Sequence, residues 1–466
     1  MSRERLGLVL LVIGLFFILG AQEKAAFTFP RTEQGARIAA YFAAFNSGDD
    51  ARLTEFFREH WSAASLNQVP LQERLQRSRG LRQQTGRLEP QRLLSESPAE
   101  VRLLAKDAQG QWLEMGFAFE AEKPGKIRGV MLNQVDESDL QDLGGPPLTQ
   151  AEALHEIGAA IDKQVAADAF SGAVLVARQG EALFEQAYGF ASLEYRVPNR
   201  LDTRFNLGSI NKVFTQLAVE QLARSGKLSL DDPIGKFLPD YPNPDARQAT
   251  VRQLLDMTSG IGDFFGPEYM ATPKDRIRDL ADYLPLFASK PLLFKPGAGR
   301  QYSNGGYVVL GLIIEKASGQ SYFDYVAENI YRPAGMENSG HAESDVPETN
   351  LASGYTRRWD EGSHEKEPRR NNIHTRPARG SSAGGGYATA RDLVRFVSAV
   401  RSGKLVGPAG WLSGPAALAG GAPGINAELD IDPAPGYVVV VLSNYDPPAA
   451  TTVAKKIAGL LRRVKE

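Results

Sequence analysis

Cysteine is absent from this 466-residue sequence, which excludes disulfides, a thiolate nucleophile and cysteine-bound zinc or iron–sulfur centres together. Histidine is scarce. His60, His155, His341, His364 and His374 are the whole set, and no two stand i, i+4 apart as the ligands of a helical metal site do. No metal or organic cofactor is implied, and any nucleophile has to be an oxygen or an amine. An excess of one charge is missing as well: 53 Lys+Arg against 55 Asp+Glu leave a net −2, no field to draw in nucleic acid. What is plentiful is apolar side chain, 42% of the residues, enough for buried cores. At roughly 100–200 residues per domain the length predicts two or three domains.

The apolar run from Leu6 to Ala21, behind Met1-Ser2-Arg3-Glu4-Arg5 and ahead of Gln22-Glu23-Lys24, has the layout of an export signal. Its 16 residues fall short of the roughly 20 that span a bilayer as a helix. Residues 1–21 are therefore expected to be a signal peptide. An N-terminal membrane anchor is the alternative, because Leu19 is large where a cleavage site prefers a small residue. The chain is expected to be exported: periplasmic, secreted or anchored to the cell envelope.

Residues 30–138 predict a small α+β domain of two short helices followed by strands. Ile38, Tyr41, Phe42 and Phe45 recur with helical spacing between Thr32, a capping residue, and Asn46-Ser47-Gly48, a stop. Leu53, Phe56, Phe57 and Trp61 repeat the pattern. Leu113, Met115, Phe117 and Phe119 alternate as a strand does, after the turn chemistry of Asp107-Ala108-Gln109-Gly110. The pattern resembles the cone-shaped domains similar to nuclear transport factor two. The aromatics themselves read as core.

Residues 139–147, with Gly144-Gly145-Pro146-Pro147, read as a linker, and residues 148–466 as a larger domain. It opens with a helix through Leu154, Ile157 and Ile161. A hairpin follows, from Ser171 to Arg178 and from Leu183 to Tyr188 across Gln179-Gly180-Glu181. The middle is helical, and a strand from Tyr437 to Leu442 closes it. The fold class is α+β: an antiparallel sheet flanked by helices, with an all-helical subdomain. The polar stretch from Arg357 to Arg370 reads as an exposed loop.

Two segments can carry chemistry. In the first, Ser209 and Lys212 open a helix that continues through Val213, Phe214, Leu217, Ala218 and Leu222 to Gly226. Residues three apart on a helix are neighbours. A desolvated lysine loses its proton near neutral pH and serves as base for a serine hydroxyl, while the helix N-terminus favours developing negative charge. The same pair also fits a serine N-cap followed by a solvated lysine. In the second, Tyr302 and Asn304 stand two apart in a stretch expected to be extended, so both face one side. A phenol near an ammonium can give and take back a proton, and an asparagine can hold the lysine and donate to a substrate amide. A tyrosine packing against the helix start, with Asn304 as N-cap, fits equally.

Ser-x-x-Lys followed 93 residues later by Tyr-x-Asn is far more specific than either motif alone. With Arg204-Phe205-Asn206-Leu207-Gly208-Ser209, with the run from Thr250 to Ile261 (TVRQLLDMTSGI), and with that from Gly384 to Leu393 (GGGYATARDL), the second domain resembles the serine β-lactamase and penicillin-binding-protein superfamily, in its class C β-lactamase and esterase branch. The resemblance implies acyl transfer through an acyl-serine. Ser209 would attack, Lys212 and Tyr302 would manage the protons, and Asn304 would orient.

The third family motif departs from the pattern. The family carries a basic residue or histidine, then small residues, on a sheet-edge strand; here the matching run from Ala417 to Asn426 puts Leu418 at the basic position. Its glycines persist, so the N–H of Gly421 is expected to complete the oxyanion hole with that of Ser209. The stretch from Val406 to Ala417 shows no alternation, which predicts a missing strand. The leading reading is an exported serine hydrolase acting on a small ester, amide or peptide, with neutral esters favoured over carboxylate-bearing β-lactams because Leu418 carries no charge. The alternative is a catalytically impaired relative that binds a peptide or cell-wall fragment, with the first domain as partner or ligand module.

Overall fold

The computed structural model describes residues 27–465, apart from 121–124, 136, 138–139, 141–144, 360–363, 365, 406–415 and 433–435. The expected export signal, most of the linker, part of the 357–370 stretch and nearly all of the 406–417 stretch lie outside the described residues. The chain divides into two compact units, Met1–Gly144 and Gly145–Glu466. Among the described residues no helix is long and apolar enough to cross a membrane.

The first unit packs helices against a four-stranded antiparallel meander. Helix α1 (Glu33–Ser47) starts where the Thr32 side chain accepts the Gly35 N–H and stops at Gly48, whose φ of 70° suits glycine. Asp49 caps α2 (Asp50–His60). Trp61, expected within that helix, sits just past its end. Two further helices, α3 (Ala63–Gln68) and α4 (Leu71–Thr85), correct the expectation of two. Only Leu71, Leu75 and Leu81 of α4 pack against the core, too few apolar residues among its polar ones to show a clear period. Strands β1 (Glu89–Glu96), β2 (Glu100–Lys106), β3 (Trp112–Phe119) and β4 (Ile127–Val135) pair in chain order. Tyr41, Phe45, Phe56 and Phe57 interlock with Leu103, Met115 and Phe117 in one core.

In the second unit, α5 (Gln150–Ala166) is started by a reciprocal Thr149 and Glu152 cap. The hairpin β5 (Gly172–Arg178) and β6 (Glu181–Tyr188) follows. After it come α6 (Lys212–Arg224) and α7 (Asn304–Ser318), with shorter helical turns between them, and α8 (Ala390–Arg401). Strands β7 (Ala416–Ala422), β8 (Ile425–Asp432) and β9 (Tyr437–Ser443) and helix α9 (Ala449–Leu461) end it. The sheet is antiparallel throughout in the order β7-β8-β9-β5-β6.

Both sheet faces are covered, which is why β5 and β9 read as unbroken apolar runs. Val174, Val176, Val439 and Val441 pack with Ile157 and Ile161 of α5 and Val453 and Ile457 of α9. Leu175, Ala177, Val438 and Val440 belong to the core that includes Leu217 of α6 and Val397 of α8. Each fully buried Val or Leu contributes roughly 1.5–3 kcal/mol, so the sheet is a rigid platform, and its edge strand β7 is the wall on which chemistry can be built.

Candidate active site

Ser209 lies in a 3₁₀ turn, Gly208–Asn211, that leads into α6. The α-helix begins at Lys212, not at Ser209 as the sequence suggested, and Gly208 opens the turn before it with a φ of 50°. Two contacts demand glycine here. A Cβ on Gly208 would stand 2.9 Å from the Gly421 nitrogen, and one on Gly420 would stand 2.0 Å from the Leu207 carbonyl and 2.9 Å from the Ser209 nitrogen. The edge strand thus lies directly against the serine turn. Asn206 accepts the Gly208 N–H at 2.9 Å, and the buried Asn211 donates to the Ser381 carbonyl at 3.0 Å and the Tyr322 hydroxyl at 3.2 Å. The turn is held from both ends.

Lys212 is 6% exposed. Its Nζ reaches Ser209 Oγ at 3.2 Å, Asn304 Oδ1 at 2.7 Å and the Ala383 carbonyl at 2.5 Å. It is no solvated surface lysine. The ammonium also sits 4.8 Å from the Tyr302 ring centre and 5.3 Å from that of Tyr307. Burial pulls its pKa down from the ordinary lysine range to about 7, against the Asp263 charge, which pushes it up. The amine can therefore be neutral at physiological pH.

Tyr302 Oη donates to Ser209 Oγ at 2.7 Å. Burial raises the pKa of this half-exposed phenol while the Ser209 hydrogen bond lowers it, and the net direction is upward, so the hydroxyl keeps its proton. The stretch around it is not extended throughout. Ser303 is the N-cap of α7, accepting the Gly306 N–H at 2.8 Å, and Asn304 is the first helical residue. Tyr302 and Asn304 converge because the chain turns into the helix between them.

Asp263 escaped the sequence reading. Its carboxylate accepts the Asn304 amide N–H at 2.7 Å, leaving the amide oxygen to face Lys212. The loop that carries it is tied to α7 by the Ser303 hydroxyl, which donates to the Gly262 carbonyl at 3.0 Å. An acidic residue two positions beyond Ile261, in a glycine-containing segment, was the available signal.

The third motif is a hairpin, β7 and β8, turning at Pro423 and Gly424, with Gly421 opposite Asn426. Leu418 is half-buried and packs against the main core. Ser209, Asn304 and Gly421 line one cleft of about 270 Å³, which Phe264, Phe265, Tyr269 and Tyr283 also line. Among the described residues lining it, Arg376 alone is charged.

Three comparisons bear on this arrangement. The family model described as Beta-lactamase matches residues 157–462. Penicillin-binding protein 4* of Bacillus subtilis is 36% identical over 172 residues, 36% of this chain and 38% of the relative. Protein flp of Staphylococcus aureus is 29% identical over 186 residues, 39% of this chain and 37% of the relative. The chain thus aligns with less than two-fifths of the length of either. The crystal structure of a penicillin-binding protein from Bacillus halodurans superposes with a TM-score of 0.58 at 29% identity, covering 66% of this chain and 99% of that one.

Proposed function

The chain belongs to the Beta-lactamase family, among the β-lactamase and penicillin-binding-protein-like serine hydrolases, and on that premise we propose that it is an exported hydrolase that works through an acyl-serine on a small ester, amide or peptide. The single observation that carries the reading is Ser209 Oγ, placed 3.2 Å from Lys212 Nζ and 2.7 Å from Tyr302 Oη. In the proposed sequence, neutral Lys212 takes the Ser209 proton as Oγ bonds to the substrate carbonyl carbon. The oxyanion forms between the Ser209 and Gly421 N–H groups. The proton returns through Lys212 and Tyr302 to the leaving oxygen or nitrogen as its bond to the acyl carbon breaks. Water then attacks the ester carbonyl under the same base, and its proton passes to Ser209 Oγ as the bond from Oγ to the acyl carbon breaks and the acid departs. A positioned base contributes about 10²–10⁴ in rate, and each oxyanion donor about 10²–10³.

Selectivity follows from the third motif in this proposal. With Leu418 in place of a cation, a carboxylate beside the scissile bond gains no partner on the strand edge, and esters without a carboxylate at that place are favoured over carboxylate-bearing β-lactams. Purified protein should hydrolyse a short-chain nitrophenyl ester faster than a chromogenic cephalosporin, with the esterase activity lost in Ser209→Ala. The reverse preference would overturn this selectivity. Leu418 is also the observation that favours a second reading, a binder of peptide or cell-wall fragments that no longer turns over.

The division of labour is proposed as a leader at 1–21, a small cone-like domain at 30–138 similar to nuclear transport factor two, a linker at 139–147 and the hydrolase at 148–466.

A further inference from the structure

Arg376 is half-buried on the cleft wall, and among the described residues no carboxylate pairs with it. Its neighbours differ. Arg379 faces Glu343 at 3.7 Å, Arg278 bonds Glu343 at 2.7 Å and Asp345 at 2.5 Å, and Arg369 lies 3.7 Å from Asp168. A guanidinium that gives up part of its hydration without a counter-charge is costly unless something else supplies one.

The backbone under Arg376 is fixed. The Tyr269 hydroxyl donates to the Thr375 carbonyl at 3.1 Å, and the Ala378 N–H donates to the Lys274 carbonyl at 2.8 Å. From the other side, the Asn372 amide donates to the Pro423 carbonyl, at the tip of the third-motif hairpin, at 2.9 Å. The segment from Asn372 to Ala378 is a strap between Tyr269 and the tip of the hairpin. It carries its one positive charge into a cleft otherwise lined by aromatic rings, small residues and uncharged polar groups.

Resting on the acyl-serine reading above, we infer that Arg376 is a specificity-determining residue that takes a carboxylate on the part of the substrate lying against the aromatic wall. This is a different place from the sheet edge where Leu418 stands. The guanidinium fork offers two parallel N–H donors to one carboxylate, and the aromatic lining of the cleft strengthens the pair. The substrate class is an ester or amide that presents an apolar segment ending in a carboxylate.

The test compares mono-p-nitrophenyl glutarate with p-nitrophenyl valerate, similar in length and differing in charge. The ratio of their kcat/KM values should favour the glutarate ester by about tenfold or more in the wild type. It should fall by about that factor in Arg376→Gln, with Arg376→Lys in between. Arg391→Gln, which removes the same charge from the ion pair with Glu185, should keep the wild-type ratio. In parallel, the Ser209→Ala protein, with and without Arg376→Gln, is titrated calorimetrically with monoethyl glutarate and ethyl valerate. Equal ratios in wild type and Arg376→Gln, or equal affinity for the two ligands in Ser209→Ala, would overturn the inference. If neither ester acylates Ser209 yet glutarate binding still depends on Arg376, the anion site stands and the acyl-serine reading falls.

Discussion

Asn304 is held at both ends of its amide, and Asp263 is what decides which way round it sits. The 2.7 Å bond from Asn304 Nδ2 to Asp263 Oδ2 leaves only the amide oxygen to meet Lys212, also at 2.7 Å. Asp263 therefore bears on Lys212, the proposed base, through its neighbour and through its charge.

Replacing Asp263 separates those two actions. Asp263→Ala should lower kcat/KM by about 10- to 100-fold, as loss of an orienting partner does. Asp263→Asn keeps an acceptor and should lose less. Because the Asp263 charge raises the Lys212 pKa, both variants should move the acid limb of the pH–rate profile to lower pH. A fall in rate with no shift of the limb would place Asp263 outside the charge balance of the base.

In the proposed mechanism Lys212 itself sets that limb. With burial pulling its pKa to about 7, kcat/KM should climb tenfold per pH unit below that point and level off above it. Stability carries the same signature with a definite sign. The unfolded lysine holds its proton up to about pH 10.4, so between about 7 and 10 the unfolded chain binds more protons, and wild-type stability rises with pH. Lys212→Met should thus be the more stable protein at pH 7, by a margin that shrinks on the order of 2 kcal/mol by pH 9. Denaturant melts of both proteins at the two pH values check this.

The glycine pair on β7 offers a steric test. Gly420→Ala would drive a methyl to 2.0 Å from the Leu207 carbonyl, forcing the strand off the serine turn. Activity should fall about 10²–10³, the worth of one oxyanion donor, with little change in the melting of the sheet. In Gly421→Ala the new methyl crowds the Pro447 ring, at 2.9 Å, and meets the Ile425 carbonyl at an ordinary 3.9 Å, and the backbone N–H remains, so the loss should be smaller. Steady-state kinetics with a neutral nitrophenyl ester distinguishes the two.

Much of this arrangement was legible locally. Thr32 and Gly48 bracket an apolar period, and α1 lies between them; the unbroken valines of β9 announce a strand covered on two faces. The motif words around Ser209 and Tyr302 pointed to residues that the fold brings within hydrogen-bond distance. What local pattern could not show is pairing across the chain. Asp263 gains meaning only from Asn304, 41 positions on, and Arg376 only from a strap that binds Tyr269 on one side and Pro423 on the other. The largely polar α4 was invisible for a simpler reason, its three core-facing leucines being too sparse to repeat as a stripe.

The most direct measurement is intact-protein mass spectrometry after incubation with a fluorophosphonate and, separately, with a penicillin. A covalent adduct of the probe's acyl or phosphonyl mass is expected from at least the fluorophosphonate, mapped to Ser209 by peptide digestion and absent in Ser209→Ala. Its formation should slow as pH falls below about 7, following Lys212. An adduct on another residue, or none with either probe on folded protein, would contradict it.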